Sequence, residues 1–111
     1  MKKTISHNTK ILAESVGYDK FNIIHSVIPT GEIRKTCTME TLHEWIKTNY
    51  QMFVETHYDD SQLWGFSLMK NDGFWIDGDS MFETEEIAFD EGLQRSLYEI
   101  KCNDSNRNIL P

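Results

Sequence analysis

The stretch Asp72–Ile100, DGFWIDGDSMFETEEIAFDEGLQRSLYEI, decides the fold of this chain. It opens with Asp72-Gly73, a pair that supplies the positive φ values of a type I′ hairpin turn. Phe74-Trp75-Ile76 then predicts a short strand, and Thr84 followed by two glutamates is typical of the start of a helix. We therefore expect a hairpin strand that leads into an amphipathic helix over residues 84–100.

The apolar residues of that helix recur at helical spacing, which predicts the face that it buries. Gly92 lies beside them, and a glycine inside a helix costs about 1 kcal/mol relative to alanine. Its presence indicates close packing of the helix against a sheet. Glu91 and Arg95 are a predicted i,i+4 ion pair on the solvent side. The inward stripe consists of Phe89, Leu93, Leu97 and Ile100, with Gly92 and Ser96 beside it.

The residues before the turn predict the rest of the sheet. Residues 51–58 and 62–70 alternate with a period of two, and turn-forming residues separate them. Further upstream, Thr38 is a suitable N-cap for a helix over Met39–Asn49. The predicted fold class is α+β: a small antiparallel β-meander (Gln51–Tyr58, Gln62–Lys70, Phe74–Asp77) with two main helices packed on one face. Its predicted core is Leu42, Trp45, Ile46, Val54, Phe66, Phe89, Leu93 and Leu97.

The first third of the chain has weaker patterns. Residues 21–35 predict a strand, a Pro29-Thr30-Gly31 turn and a second strand, and they are candidates to extend the sheet. Before them, Asn8 is a candidate N-cap of a short helix that Gly17 would end. We divide the chain into a polar N-terminal segment with a short helix (1–20), a single α+β domain (21–101) and a polar C-terminal tail (102–111).

The composition limits the function classes. The chain has 111 residues, of which 39% are hydrophobic, and this suffices for one packed core. Its net charge of −7 disfavours nucleic-acid binding, and it either suits a basic protein partner or only confers solubility. No apolar run approaches the length of a membrane span, and no secretory segment is recognised. Two cysteines are too few for a disulfide framework, so a cytoplasmic location with reduced thiols is expected. The oligomeric state is not predicted.

No motif predicts a metal, a cofactor or a catalytic residue. The histidines (His7, His25, His43 and His57) and the two cysteines (Cys37 and Cys102) lack metal-ligand spacing, and exposed histidines explain the pattern. Asp77-Gly78-Asp79 resembles part of a calcium loop, but the further oxygen ligands are missing. Cys37 has His43 six residues on but no third residue to orient it, and the six glycines are scattered. Enzyme status is therefore open, with a non-enzymatic protein favoured.

The aromatic residues suggest a recognition patch. Aromatic side chains are concentrated on the predicted strands, and two helices can cover only one face of a sheet. Those that stay exposed would form an interaction patch of Tyr58, Trp64 and Trp75, although membership of the core is the default interpretation.

Two segments resemble a group of small uncharacterised gut-bacterial, Bacteroidetes-type α+β proteins. These have a Leu-x-x-Trp-Leu helix, a β-meander and a helix that begins Thr-x-Glu-Glu-Ala, with Gly-Leu further on. Residues 42–46 match the first motif with isoleucine at its end. Residues 84–93 match the second, although Ile87 replaces its second glutamate. Because the group has no assigned activity, the resemblance implies no site residue.

HicB-like antitoxins are similar in a more limited way, since in them a β-hairpin also leads into a Thr-x-Glu-Glu-Ala helix. Their Pro-Gly-Cys segment is missing here. The expected function is a non-enzymatic accessory or protein-interaction domain that acts through an acidic surface, with a mobile element as a candidate source. The alternatives are a HicB-like toxin-neutralising antitoxin and a small ligand-binding domain with a pocket around His57 and Asp59.

Overall fold

The computed structural model describes residues 3–25, 33–78 and 80–109, and the side chains among them outside 22–35 and 104–109. Its helices are α1 (His7–Ser15), α2 (Met39–Tyr50) and α3 (Glu85–Ile109). Its strands are β1 (Asn22–His25), β2 (Ile33–Thr36), β3 (Phe53–Tyr58), β4 (Trp64–Met69) and β5 (Trp75–Asp77). β3, β4 and β5 form an antiparallel sheet in that order; α2 and α3 pack against it, and α1 packs against α3. The α+β class is confirmed.

The register of the sheet separates its residues into two faces. Val54 pairs with Leu68, and Leu68 pairs with Ile76. Val54 and Leu68 are buried, so this row belongs to the inner face, which α3 covers. Since side chains alternate along a strand, Met69 and Trp75 lie on the opposite face, which we call the outer face.

Close packing of α3 on the inner face depends on Gly92, as the sequence predicts. A Cβ atom at Gly92 would lie 2.4 Å from Cγ1 of Val54 and 3.2 Å from Cγ of Phe66. The predicted stripe of α3 is buried, from Phe89 to Ile100. The whole predicted core is confirmed as buried except Trp45, which is partly buried against it. Arg95 pairs with Glu99 at 3.0 Å, one turn after Arg95, and not with the predicted Glu91 one turn before it.

α2 also agrees with its sequence pattern. Oγ1 of Thr38 accepts a hydrogen bond from the Thr41 amide at 3.2 Å, which confirms the N-cap. The helix ends at Tyr50, and Gln51 follows with a φ of 53°. Met39, Leu42 and Ile46 face the core, and so does His43, which the sequence places on the surface.

The turn between β4 and β5 differs from the predicted type. Gly73 has a φ of +87°, but Asp72 is not among the residues with positive φ, so the type I′ prediction is wrong. The Gly73 amide donates to the Lys70 carbonyl at 3.0 Å, and the Lys70 amide donates to the Phe74 carbonyl at 2.8 Å. This is a three-residue hairpin loop with a left-handed glycine at its end. Oδ1 of Asp72 accepts from the Phe74 amide at 3.0 Å, which favours the same loop.

The structure corrects three further predictions, which concern α1, the β1–β2 pair and the end of α3. Ser6 caps α1 in place of Asn8, although Gly17 follows the helix with a φ of +93°, as predicted. β1 and β2 form a separate two-stranded sheet and do not extend the meander. The Pro29-Thr30-Gly31 turn lies outside the described residues. α3 does not end at Ile100 as predicted but continues to Ile109.

The N-terminal segment contributes to the same core as the sheet. Ile5, Ala13 and Tyr18 belong to the cluster that contains the buried residues of α2 and α3. The Ile5 amide donates to the Cys37 carbonyl at 3.1 Å, and the Met39 amide donates to the Lys3 carbonyl at 2.8 Å. Among the described helices, none is long and apolar enough to cross a membrane.

We expect Gly92→Ala to lower the free energy of unfolding by about 1–3 kcal/mol, measured by urea denaturation. In an exposed helix the same change would stabilise, but here the new methyl group meets the buried, β-branched Val54. Val54→Ala removes that contact, so Gly92→Ala should cost less in a Val54→Ala background. Equal costs in the two backgrounds would contradict this explanation.

Candidate functional site

The predicted aromatic patch is divided between two faces of the sheet. Tyr58 and Trp64 are cross-strand partners, and their ring centroids are 5.1 Å apart. Trp75 pairs with Met69 on β4. Met69 and Trp64 are separated by an odd number of positions along that strand. An odd spacing places residues on opposite faces, so the structure brings Tyr58 and Trp64 together but not Trp75. Tyr58 and Trp75 are 56% and 48% exposed.

The outer face has an apolar row beside an acidic one. Register places Phe53, Met69 and Trp75 in one row across the three strands. The next row consists of Glu55, Ser67 and Asp77, and Oγ of Ser67 donates to Oδ1 of Asp77 at 2.7 Å. α3 lies on the other face, and α2 contacts this one at Phe53, through His43 and Lys47, whereas Trp75 at the far side of the sheet is about half exposed. The outer face is therefore a candidate for a partner that has both apolar and basic side chains.

α2 covers the β3 edge of the sheet through a buried histidine. Nε2 of His43 accepts a hydrogen bond from the Val54 amide at 3.0 Å, so an edge-strand donor is satisfied. The His43 ring lies 5.0 Å from that of Phe89 and 5.3 Å from that of Phe53, centroid to centroid. Burial, and next the nearby Lys47, lower the pKa of His43 from 6.5 to about 4. The imidazole is thus neutral near pH 7 and acts as an acceptor.

His43 is a residue whose role the sequence analysis missed. Its position gave one signal, because it is four residues after Met39 and three before Ile46, both of which face the core. That spacing places it on the edge of the buried stripe of α2. The hydrogen bond itself could not be predicted, because it joins a helix to a strand edge.

A groove lies between the N-terminal segment and α3. Its volume is about 340 Å³, and we call it the α1–α3 groove. Met39 contributes an apolar part, and Ile87 is 46% exposed beside it. The lining also includes Ser6 and Gln94, together with the carboxylates of Glu86, Asp90 and Glu91.

Asp90 is buried and joins α1 to α3. Its Oδ1 accepts from the Ser6 amide at 3.0 Å and from Oγ1 of Thr9 at 2.9 Å. Its Oδ2 accepts from Nε2 of Gln94 at 3.0 Å. The carboxylate also lies at the N-terminus of α1, where the helix dipole favours negative charge. Asp90 therefore has a structural role, while Glu86 and Glu91 are more accessible.

The electrostatics of the α1–α3 groove favour a cation. Burial, and next the Asp90 carboxylate, raise the pKa of Glu91. A bound lysine or arginine side chain would reduce this repulsion and stabilise the ionised glutamate. The apolar surface of Met39 and Ile87 suits the aliphatic part of such a side chain.

The other candidate residues have structural explanations. Oδ1 of Asp59 accepts from the amides of Ser61 and Leu63, at 2.9 and 3.4 Å, and so organises a loop. His57 is exposed and lies over Gly65. Burial raises the pKa of the Cys37 thiol, which makes it less reactive. Within residues 3–25, 33–78 and 80–109, no group of three or more histidine, cysteine or carboxylate side chains could hold a metal ion.

Comparison of the chain with protein-family models, with curated proteins and with solved structures finds no match.

Because the pKa of His43 is low in the folded protein, we expect the free energy of unfolding to decrease as the pH is lowered. Because the pKa is lower in the folded state than in the unfolded one, unfolding takes up a proton as the pH falls from about 6.5 to about 4. A shift of this size corresponds to on the order of 3 kcal/mol. His43→Gln retains an acceptor and does not titrate. The difference in unfolding free energy between pH 7 and pH 5 should therefore be smaller in this variant, and an equal difference would show that His43 is not responsible.

We expect Asp90→Ala to lower the free energy of unfolding by about 2 kcal/mol, since the Ser6 amide and the Thr9 hydroxyl lose their acceptor. Asp90→Asn should have a smaller effect because one oxygen remains, and Gln94 can rotate its amide to face the new donor. Hydrogen exchange should show that α1 is less protected in Asp90→Ala. Unchanged exchange in α1 would contradict the structural role.

Proposed function

We propose that this protein is a non-enzymatic interaction domain that binds a basic protein partner through the α1–α3 groove. The observation that supports it is the combination of Glu86 and Glu91 with the apolar Met39 and Ile87 in one groove of about 340 Å³. The net charge of −7 acts in the same direction, because it accelerates the approach of a positively charged partner.

The expected partner presents lysine or arginine side chains on a segment that enters the groove. Glu86 and Glu91 would pair with the charged end groups, and Ile87 would contact the aliphatic stem. Exposed ion pairs contribute at most about 1 kcal/mol each, so two of them alter affinity by roughly tenfold. Such a complex would weaken as the salt concentration rises.

A small basic toxin is one partner of this type, and the similarity to HicB-like antitoxins is the reason to include it. Under this alternative, the gene for the toxin would lie beside that of the protein. Co-expression should then restore the growth of cells that produce the toxin. A basic partner without toxicity would support the wider proposal and exclude the antitoxin.

The test uses hexalysine as a defined probe, with hexaglutamate as the negative control. We expect hexalysine to shift the backbone amide signals of Ile87 and Glu91 in two-dimensional NMR spectra. The variant Glu86→Gln/Glu91→Gln should bind it about tenfold more weakly at low salt. Affinity capture from the source cell with the same variant would then identify the natural partner.

The matched control is Glu44→Gln/Asp60→Asn, in which two exposed carboxylates outside the groove lose their charge. It changes the net charge by the same amount, so its affinity should be close to that of the natural chain. If both double variants weaken binding equally, net charge and not the groove is responsible. If hexalysine binding does not depend on salt, the proposed ion pairs are absent.

A further inference from the structure

We propose that the β5 edge of the sheet binds an extended, basic segment of a partner protein as a fourth antiparallel strand. The motif expected opposite β5 is a lysine or arginine followed, two residues later, by an apolar side chain. This surface is separate from the α1–α3 groove, and it rests on the proposed function only in that the partner is basic.

The two edges of the sheet differ in how they are covered. At the β3 edge, His43 accepts the hydrogen bond of the Val54 amide. β5 is the last strand on the other side, and no strand pairs with its free edge in the part of the chain that the structure describes. Trp75 and Asp77 are exposed there. An edge of this kind is the usual site for addition of a strand.

The hydrogen-bond pattern identifies the backbone groups that are available. The Lys70 amide donates to the Phe74 carbonyl at 2.8 Å, and the Gly78 amide donates to the Phe66 carbonyl at 2.9 Å. Residues alternate in direction along an antiparallel strand, so the backbone of Ile76 also faces β4. The amides and carbonyls of Trp75 and Asp77 consequently face away from the sheet, toward an incoming strand.

The side chains of the outer face determine which segment fits. Trp75 and Asp77 lie two residues apart on this face, and Glu55 belongs to the same row as Asp77. An added strand would place an apolar residue beside Trp75 and a residue of positive charge beside Asp77. In an antiparallel strand the order reverses, so the basic residue precedes the apolar one.

The charges nearby favour a basic partner over a second copy. Two lysines beside the sheet have acidic partners, since Lys47 pairs with Glu44 at 2.6 Å and Lys70 lies 3.7 Å from Glu99. Asp77 and Glu55 remain as the negative groups of the face. A second copy would bring together two chains with a net charge of −7 each, which repel one another.

Further apolar area lies close to this edge. Phe74, the residue before Trp75, is 71% exposed, and Trp75 itself is 48% exposed. Exposed aromatic side chains in a group are typical of binding surfaces. β5 itself has only three residues, so main-chain hydrogen bonds are few and the side chains supply much of the specificity.

The test uses two peptides of identical composition that contain Arg-Thr-Leu or Leu-Thr-Arg between flanking threonines. We expect the Arg-Thr-Leu peptide to shift the amide signals of Trp75 and Asp77 and to bind at least about fivefold more tightly than the reversed one, which corresponds to about 1 kcal/mol. Equal binding of the two peptides, or shifts confined to residues of the groove, would overturn the proposal.

Two variants at Asp77 separate the charge from the backbone. Asp77→Asn removes the charge and retains the amide, whereas Asp77→Pro also removes the donor at the free edge, a position where a sheet tolerates proline. Binding should fall in Asp77→Asn and be lost in Asp77→Pro, while amide protection at Leu68 and Ile76 shows that β5 remains paired. Retention of binding in Asp77→Pro would overturn the added strand.

Asp77→Lys provides a test that does not depend on loss of binding. This variant should prefer a Glu-Thr-Leu peptide to the Arg-Thr-Leu peptide, because the charge of the face is reversed at the contact. An unchanged preference would contradict the proposed pairing. Self-association that increases with protein concentration and competes with the peptide would assign the edge to a second copy instead.

The two proposals can fail separately. Glu86→Gln/Glu91→Gln should leave the affinity for the Arg-Thr-Leu peptide unchanged. Asp77→Pro should leave hexalysine binding at Ile87 and Glu91 unchanged. If the groove variant also abolishes peptide binding, the peptide occupies the groove and the β5 edge is not its site.

Discussion

The close contact between α3 and the inner face of the sheet is the constraint on which the rest of the structure depends. At Gly92 the helix backbone comes so near to Val54 and Phe66 that even a methyl group would collide. This contact fixes the height of α3 above the sheet and lets Phe89 and Leu93 reach the core. Helix propensity is lost at this position, and the burial of apolar area beside it offsets the loss.

The same contact determines which surfaces are available for binding. Because α3 covers the inner face and α2 reaches the outer face at Phe53 on β3, Trp75 on β5 is left about half exposed. α2 packs against α3 and β3, and His43 satisfies the amide of Val54 at that edge. The opposite edge, at β5, has no comparable cover among the described residues. The sheet is thus asymmetric, with one protected edge and one available edge.

The carboxylates of α3 show how one residue type takes different roles within a single helix. Asp90 accepts three hydrogen bonds and anchors α1, so its charge is part of the core structure. Glu91 is its neighbour in sequence and lines the same groove, but its side chain is more accessible, and burial and Asp90 raise its pKa. The difference arises from the side of the helix on which each lies, since consecutive residues point about 100° apart.

The sequence by itself determined the α+β class, the antiparallel meander, the N-cap of α2 at Thr38 and the buried stripe of α3. These features depend on local propensity and on hydrophobic periodicity, which act over a few residues and can be identified from the sequence. The burial of His43, the separation of Trp75 from Tyr58 and Trp64, the Ser6 cap and the anchor at Asp90 were decided only by the tertiary structure. Each of them depends on strand register or on contacts between residues distant in the chain, and a local pattern carries no information about either.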